Sequence, residues 1–359
     1  MQTLFYIISI LLIVAALLPL SKNQHWLVRG VDFMKFHLFV LISVTILFGM
    51  FLLKESHYVS VLIILLILVN SYLTTHFLPY TVLYKKHKPS FQKKSKPISL
   101  IAFNVYQFNK NYNGLIDLVN QVAPDILLTM ETDKAWEHGM KPIERLYANH
   151  HNIPLSNTYG MHFYTNLKVV QIKTNYFVSE DIPSIEAFLE TEEGYRFHFF
   201  GVHPPPPSPT EEPTSKERDG ELMSIAKRIR QLEGSVVVSG DFNQVTWGYT
   251  NRLFQKASQL IDVRKGRGFV TTFHAKYKWF RIPLDQIFHS PDIMVDTFKT
   301  LKHIGSDHLP LYCRFSITSN KEILKNNDIE PIDTTEKTEM NRMIKKGKKE
   351  TGDRGINTP

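Results

Sequence analysis

Residues 236–243 read V-V-V-S-G-D-F-N, a short apolar run with a polar end. Three consecutive valines are typical of a buried strand, and Gly240 permits a backbone turn that other residues resist. Asp241 and Asn243 follow at the end of the strand, two positions apart, so their side chains lie on the same side. An acid and an amide there suit a hard cation or a phosphate oxygen, although the same residues also form ordinary turns. The stretch predicts a strand that delivers polar groups to one edge of a sheet.

Other strand-like segments of the chain also end in acids, amides or histidines. Amphipathic helices separate some of them, for example at 114–122 and 133–146, whereas the segments between 158 and 202 follow one another directly. This mixture predicts an α/β sandwich of two facing sheets, largely antiparallel or mixed, with flanking helices. The polar strand ends are Asn104, Glu131, His203, Asp241 with Asn243, Asp285, and Asp307 with His308.

If these strand ends converge, their side chains suit the hydrolysis of a phosphoester. Carboxylate and amide oxygens are the ligands that Mg²⁺ or Mn²⁺ prefer, unlike the thiolates of many zinc sites. The single cysteine, Cys313, also excludes an intrachain disulfide. Two histidines provide a general base and a general acid. No glycine-rich loop of the Walker type is present, which argues against nucleotide-driven transfer.

In order and spacing, six motifs across residues 98–317 resemble the endonuclease/exonuclease/phosphatase superfamily of deoxyribonuclease-like, metal-dependent phosphoesterases. The segments 240–247, 264–275 and 279–285 also look like a membrane-anchored bacterial subgroup of it. The resemblance implies the two-sheet sandwich and phosphoester hydrolysis with a divalent metal. The motifs are A-F-N at Asn104, T-M-E-T at Glu131, G-V-H at His203, S-G-D-F-N at Asp241 and Asn243, L-D-Q-I-F-H-S at Asp285, and G-S-D-H-L-P at Asp307 and His308.

The resemblance implies that Glu131 is the principal metal ligand. Asn104 would lie beside it and help to hold metal or phosphate, and Asp307 would complete the metal shell. His308 would activate the attacking water, and Asp285 would orient that histidine and stabilise its charge. The implied site therefore combines a bound metal ion with His308 as a base, which is paired with Asp285.

The resemblance also assigns the groups that contact the substrate. Asp241 and Asn243 would bind the scissile phosphate and hold the nucleophile, and His203 would assist the leaving oxygen. Tyr106 stands where abasic-site endonucleases place an acid, and those enzymes lack a histidine at the position of His203. Both differences favour the branch of nucleases, sphingomyelinases and phosphatases that has two histidines.

Three uncharged apolar stretches precede the globular part, and each is about long enough to cross a ~30 Å hydrocarbon layer. No positive charge precedes the first, which argues against a cleaved signal peptide. We predict three transmembrane helices in the lipid bilayer, at 2–21, 37–53 and 58–80. The predicted organisation is a transmembrane region at 1–84, a basic juxtamembrane linker at 85–97, a catalytic domain at 98–317 and a disordered charged tail at 318–359.

The net charge of +8 does not come from the globular part. Residues 98–317 carry 23 Lys and Arg against 24 Asp and Glu, so this part is nearly neutral. The six lysines from Lys85 to Lys96 should attract anionic lipid. A neutral domain lacks the positive excess that nucleic-acid binding usually needs.

The charges beside the predicted spans indicate an orientation. The loop after the first span holds Lys22, Arg29 and Lys35 against Asp32, and the segment after the third span is basic as well. These two segments share a side, which the positive-inside rule makes cytoplasmic. We therefore expect an integral protein of a bacterial plasma membrane with a cytoplasmic catalytic domain.

The leading hypothesis is a membrane-anchored phosphoesterase that attacks a phosphodiester or phosphomonoester with metal-activated water. Its substrate would be a phosphorylated small molecule or a lipid headgroup, and a nuclease acting on DNA or RNA is the alternative. A catalytically inactive, membrane-tethered binding module is a second alternative, which the complete set of catalytic positions disfavours. Basic residues near the site either grip the phosphate or form a solvated loop; the candidate ligands among them are Arg264, Arg267 and Arg281.

Overall fold

Two six-stranded sheets form the globular part of this computed structural model, which describes residues 1–87, 94–318 and 329–350. The strands are β1 Ile98–Asn104, β2 Ile126–Met130, β3 Asn149–Ile153, β4 Met161–Thr165, β5 Lys168–Asn175, β6 Ser184–Glu190, β7 Arg196–Val202, β8 Ser235–Asp241, β9 Ile261–Asp262, β10 Asp285–His289, β11 Ile293–Thr300 and β12 Leu311–Ile317. The helices are α1 Gln2–Leu17, α2 Trp26–Leu52, α3 His57–Phe77, α4 Tyr112–Val122, α5 Lys134–Gly139, α6 Lys141–Glu144, α7 Lys216–Ile229, α8 Tyr249–Ser258 and α9 Thr334–Gly347.

Both sheets are mixed, each with one parallel pair among antiparallel neighbours. The strand orders are β11-β12-β1-β2-β4-β3 and β5-β6-β7-β8-β10-β9. The parallel pairs are β1 with β2 and β7 with β8. The sheets face each other across a core that includes Leu128 and Phe199. Helices α7 and α8 cover the outside of one sheet, and α4 and α5 cover the outside of the other. The predicted α/β sandwich is confirmed.

Strand β8 carries three consecutive valines because it is buried on both faces. Val237 packs in the core between the two sheets. Val236 and Val238 point the other way and pack against α7 and α8. A strand covered on both sides needs apolar residues at successive positions, which accounts for the valine run.

The prediction of a disordered tail is wrong for residues 334–347, which form α9. Asp333 and Glu336 make a reciprocal capping box at its amino end. Met340 and Met343 are buried against α7 and α8. An apolar pair spaced three residues apart is enough to dock a short helix onto an existing core, and the surrounding charges hid that pattern. Residues 319–328 and 351–359 lie outside the described residues.

Three helices near the amino end are long and apolar enough to cross a membrane, spanning Gln2–Ser21, Trp26–Leu52 and His57–Tyr80. The second begins eleven positions before the predicted boundary at 37, so the predicted charged loop is wrong. Arg29, Asp32 and Lys35 lie instead in the first turns of α2 and are buried. The charged side chains of these turns can be buried in a helix because they have ionic partners, which lie within α2 and in α7. Of the predicted linker, residues 88–93 lie outside the described residues.

The amino-terminal turns of α2 dock against the globular part. Lys35 Nζ lies 2.7 Å from Asp32 Oδ1, and Arg29 Nη2 lies 3.5 Å from Asp219 Oδ2 in α7. The indole N–H of Trp247 donates to the carbonyl oxygen of Asp32. The three-helix region and the globular part therefore share one polar interface.

Candidate active site

The polar strand ends meet at one edge of the sandwich. The parallel strands β1 and β2 end side by side at Asn104 and just before Glu131. In the other sheet, β8 ends at Asp241, which lies opposite Asp285 at the start of β10. A cavity of about 490 Å³ opens at this edge. The predicted side chains that line it are Glu131, His203, Asp241, Asn243, Asp307 and His308.

Asn104 joins two of the carboxylates that line the cavity. Its Nδ2 donates to Oε1 of Glu131 at 2.7 Å and to Oδ2 of Asp241 at 3.1 Å. Its Oδ1 accepts a hydrogen bond from the backbone N–H of Tyr106. Burial raises the pKa of Glu131 to about 7, although the hydrogen bond from Asn104 opposes the shift. Asn104 therefore presents its amide hydrogens, not its oxygen, to the carboxylates.

His308 lies between two carboxylates. Its Nδ1 is 2.7 Å from Asp285 Oδ2, and its Nε2 is 3.5 Å from Asp241 Oδ2. Burial lowers the pKa of His308, but the charges of Asp285 and Asp241 outweigh this and raise the pKa to about 10. The ring is thus oriented by Asp285, with Nε2 directed at the cavity.

His203 also faces Asp241. Its Nε2 is 3.9 Å from Asp241 Oδ2, and its Nδ1 has no hydrogen-bond partner among the described residues. Burial lowers the pKa of His203 to about 4, because the attraction of Asp241 does not offset the loss of water. The pKa values of the two histidines around one carboxylate are therefore shifted in opposite directions, as those of acid–base pairs often are.

The backbone around the cavity is held in unfavourable conformations. Tyr106, Glu131 and Asn243 have φ angles of 59°, 62° and 48°, a region that costs a non-glycine residue on the order of 1 kcal/mol. The Asn243 N–H donates to Asp241 Oδ1 at 2.8 Å, and its side chain donates to the carbonyl oxygen of Pro204. Such strain concentrates at functional sites, where the surrounding contacts fix it.

Two residues that support the site were missed at the sequence level. The Ser306 hydroxyl donates to the carbonyl oxygen of Asn104 at 2.8 Å and accepts from the His308 N–H at 2.9 Å, which ties the last motif to the first. Arg218 in α7 donates to the carbonyl oxygen of Asn243. Ser306 stands inside the G-S-D-H-L-P motif and could have been included. Arg218 carried no signal, because a charged residue in a polar helix normally faces water.

The three arginines predicted to bind the phosphate are not among the described residues that line the cavity. Arg264 is buried and donates to Gln286 Oε1 and to the carbonyl oxygens of Val270 and Asp285. Arg267 donates to backbone carbonyls as well. Arg281 donates to the carbonyl oxygens of His274 and Ala275. Their guanidinium groups satisfy the backbone of the loop before β10, and Arg264 thereby supports Asp285.

The donor set at the cavity fits a hard divalent cation. Glu131, Asp241 and Asp307 line one cavity with carboxylates, and oxygens are the ligands of Mg²⁺ and Mn²⁺. Among the described residues, the group that places three possible ligand atoms within 4.8 Å of one another is Asp241, Asp285 and His308, not these three carboxylates. In that group, the nearest carboxylate oxygen of Asp285 is already bonded to His308.

The structure thus combines a two-sheet sandwich with an acid-lined cavity and a histidine–aspartate pair at one edge. Residues 101–308 match the model of the endonuclease/exonuclease/phosphatase family. The chain belongs to this family, and membership supports a phosphoesterase. No curated protein sequence matches the chain significantly.

Solved structures share the fold at low sequence identity. D. rerio TDP2, solved with a single-stranded DNA product, has a TM-score of 0.53 and 17% identity, over 62% of this chain and 99% of that one. An endonuclease/exonuclease/phosphatase family protein from Bacteroides thetaiotaomicron has a TM-score of 0.52 and 17% identity, over 64% and 98%. The human nocturnin catalytic domain, with bound sulfate, has a TM-score of 0.51 and 20% identity, over 64% and 97%.

Proposed function

We propose that the protein is a membrane-anchored phosphoesterase that hydrolyses a phosphodiester or a phosphomonoester with the help of Mg²⁺ or Mn²⁺. The charge of the cavity carries the proposal. Acidic side chains line it, and no lysine or arginine among the described residues does. A phosphoester is itself negative, so its binding there is favoured when a divalent cation joins the protonated His308 in offsetting the carboxylates. The acids of the lining are Glu131, Glu211, Asp241 and Asp307.

The cation would be held by Glu131 and Asp241, with Asp307 beside them, and would supply neutralisation of the phosphate charge. The negative charges of Asp285 and Asp241 raise the pKa of His308. Once a bound cation offsets these charges, His308 accepts the proton of the attacking water. Asp285 keeps Nδ1 of that ring protonated, so that Nε2 is the accepting atom. This assignment uses the 2.7 Å contact between His308 and Asp285.

The remaining groups act on the phosphate and the leaving oxygen. His203 is neutral and has a ring nitrogen without a partner among the described residues, so it can donate a hydrogen bond to a phosphate or leaving oxygen. Asn243 fixes Asp241 through its backbone N–H and lines the cavity beside it. The nuclease alternative is less favoured, because the near-neutral domain and the acidic cavity give a nucleic-acid backbone little attraction.

The full-length protein in detergent should hydrolyse bis(p-nitrophenyl) phosphate or p-nitrophenyl phosphate when Mg²⁺ or Mn²⁺ is present. Chelation should abolish the reaction, and Glu131→Ala and His308→Ala should each lower kcat/KM by at least about 100-fold. The matched controls are Glu233→Ala and His138→Ala, which change exposed residues. Hydrolysis that survives chelation and both site substitutions would reject the proposed function. A parallel assay of supercoiled plasmid would reveal a nuclease.

A further inference from the structure

The apolar wall of the cavity is continuous with the three-helix region. Phe33 of α2 lines the cavity together with Phe273 and Leu284. All three belong to one hydrophobic cluster that also contains Leu66 and Phe77 of α3. A helix of the membrane region therefore forms part of the wall of the site.

The length of α2 places this wall at the level of the bilayer surface. A hydrocarbon layer of ~30 Å corresponds to about 20 helical residues. Helix α2 ends at Leu52, directly before the exposed Lys54 and Glu55. A layer that begins at Leu52 reaches back to Phe33. Two further apolar residues near this level are exposed to solvent. They are Met34, which is 46% exposed, and Leu20 in the turn that contacts α2, which is 55% exposed.

An exposed aromatic segment lies beside the same part of α2. Tyr277, Trp279 and Phe280 are 60%, 89% and 63% exposed. The Phe280 ring stacks on His37 of α2 with ring centres 5.1 Å apart, and His37 Nε2 lies 3.2 Å from the carbonyl oxygen of Trp279. Soluble proteins seldom expose such a cluster, whereas Trp and Tyr concentrate at membrane interfaces.

The charges around the aromatic segment agree with that placement. Lys276 and Lys278 alternate with the aromatic residues and are exposed. Cations beside interfacial aromatic residues attract lipid phosphates. The segment therefore has the composition of a membrane-contacting loop, next to the helix that walls the cavity.

We infer that the substrate is a phosphoester of an amphiphile carried in the same bilayer. Its phosphate enters the acid-lined cavity past Phe33, and its apolar chain stays among the lipids beside α2 and the segment Tyr277–Phe280. The inference rests on the proposed function and specifies its substrate class. A water-soluble phosphoester would gain nothing from a cavity at this level.

The test uses two diesters that share the scissile bond, ethyl p-nitrophenyl phosphate and hexadecyl p-nitrophenyl phosphate, with the full-length protein in phosphatidylcholine vesicles. The hexadecyl ester should be hydrolysed with a kcat/KM at least about tenfold higher, because its chain partitions into the bilayer. If only monoesters are hydrolysed, ethyl phosphate and hexadecyl phosphate take their place, with release of inorganic phosphate as the readout.

The double substitution Trp279→Ala with Phe280→Ala separates membrane contact from folding. It should lower the rate on the hexadecyl ester by about tenfold and leave the rate on the ethyl ester unchanged, which also reports correct folding. Leu146→Ala, at an exposed leucine of the turn after α6, is the control and should change neither rate.

Three outcomes contradict the inference. Equal kcat/KM values for the two esters would overturn it and leave the proposed function standing. An equal loss on both esters in the double variant would assign the aromatic pair a structural role and overturn it too. Failure of the wild-type protein to hydrolyse any of the esters would reject the proposed function and the inference with it.

Discussion

Asp241 is the residue at which the contacts of the site converge. Its carboxylate accepts from Asn104 and Asn243, and both histidines face it. The preceding Gly240 makes this position possible. Its φ is 151°, and a Cβ there would lie 1.9 Å from the carbonyl oxygen of Val202. Glycine is thus required where the parallel strands β7 and β8 approach each other just before the site.

Gly240→Ala should therefore destabilise the protein, by at least about 2 kcal/mol, because a backbone atom of β7 cannot move away cheaply. The melting temperature in detergent measures the effect. Gly30→Ala is the matched control, since nothing lies within 4 Å of its Cβ position in α2. Equal melting temperatures for wild type and Gly240→Ala would contradict the contact with Val202.

At the scale of elements, α7 connects the three-helix region to the site. Asp219 accepts from Gln24, Ser215 and Thr250 and pairs with Arg29 and Arg218. Arg218 in turn holds the carbonyl oxygen of Asn243. A chain of buried polar contacts thus runs from α2 to a residue beside Asp241.

Asp219→Asn should lower the free energy of unfolding at pH 7 by about 3 kcal/mol, because it leaves buried arginines unpaired. Burial alone would raise the pKa of Asp219, but the charges of Arg218 and Arg29 lower it to about 2, below the ordinary value of 3.8. The stabilisation is therefore complete above about pH 4 and is lost as the pH falls towards 2.

Melting temperatures of wild type and Asp219→Asn in detergent, measured between pH 7 and pH 3, check this prediction. Their difference should shrink as the solution becomes acidic. Glu233→Gln, at an exposed position, is the control. A difference that stays constant with pH would show that the charge of Asp219 is not responsible.

An element can be predicted from the sequence when the residues that determine it lie close together in the chain. The polar positions from Asn104 to His308 were predictable because each motif is contiguous and lies beside a strand, although Asp285 begins β10 and does not end a strand. The beginning of α2 was not, since Arg29 looks like a loop residue until Asp219, far along the chain, is placed beside it. The opposite pKa shifts of His203 and His308 depend on the burial of His203 and on the distances from His308 to Asp285 and Asp241, which only the fold sets.

At the scale of the whole molecule, polar and apolar contacts join the predicted anchor to the site, but the side of the membrane is a separate question. We propose, from the charges that flank the spans, that the globular part is cytoplasmic. The single natural cysteine, Cys313, is buried, so introduced cysteines can report accessibility. Lys54, in the turn between α2 and α3, and Glu330, before α9, are exposed.

In intact bacterial cells, an impermeant maleimide should label Lys54→Cys and should label Glu330→Cys only after permeabilisation. The two positions lie on opposite sides of the predicted bilayer and serve as controls for each other. The reverse labelling pattern would place the globular part outside the cytoplasm.

The polar contacts that dock α2 can form only after α7 has been synthesised. Gln24 and Asp219 are 195 positions apart, and chains are synthesised from the amino end. Arg29 is therefore synthesised long before Asp219, its partner in α7. Until α7 is made, the ionic contacts of the charged turns are those within α2, so an incomplete chain differs chemically from a finished one at this helix. Transplanting the globular part onto an unrelated anchor would deprive Asp219 of Gln24 and Arg29 permanently and leave it only its partners within the globular part.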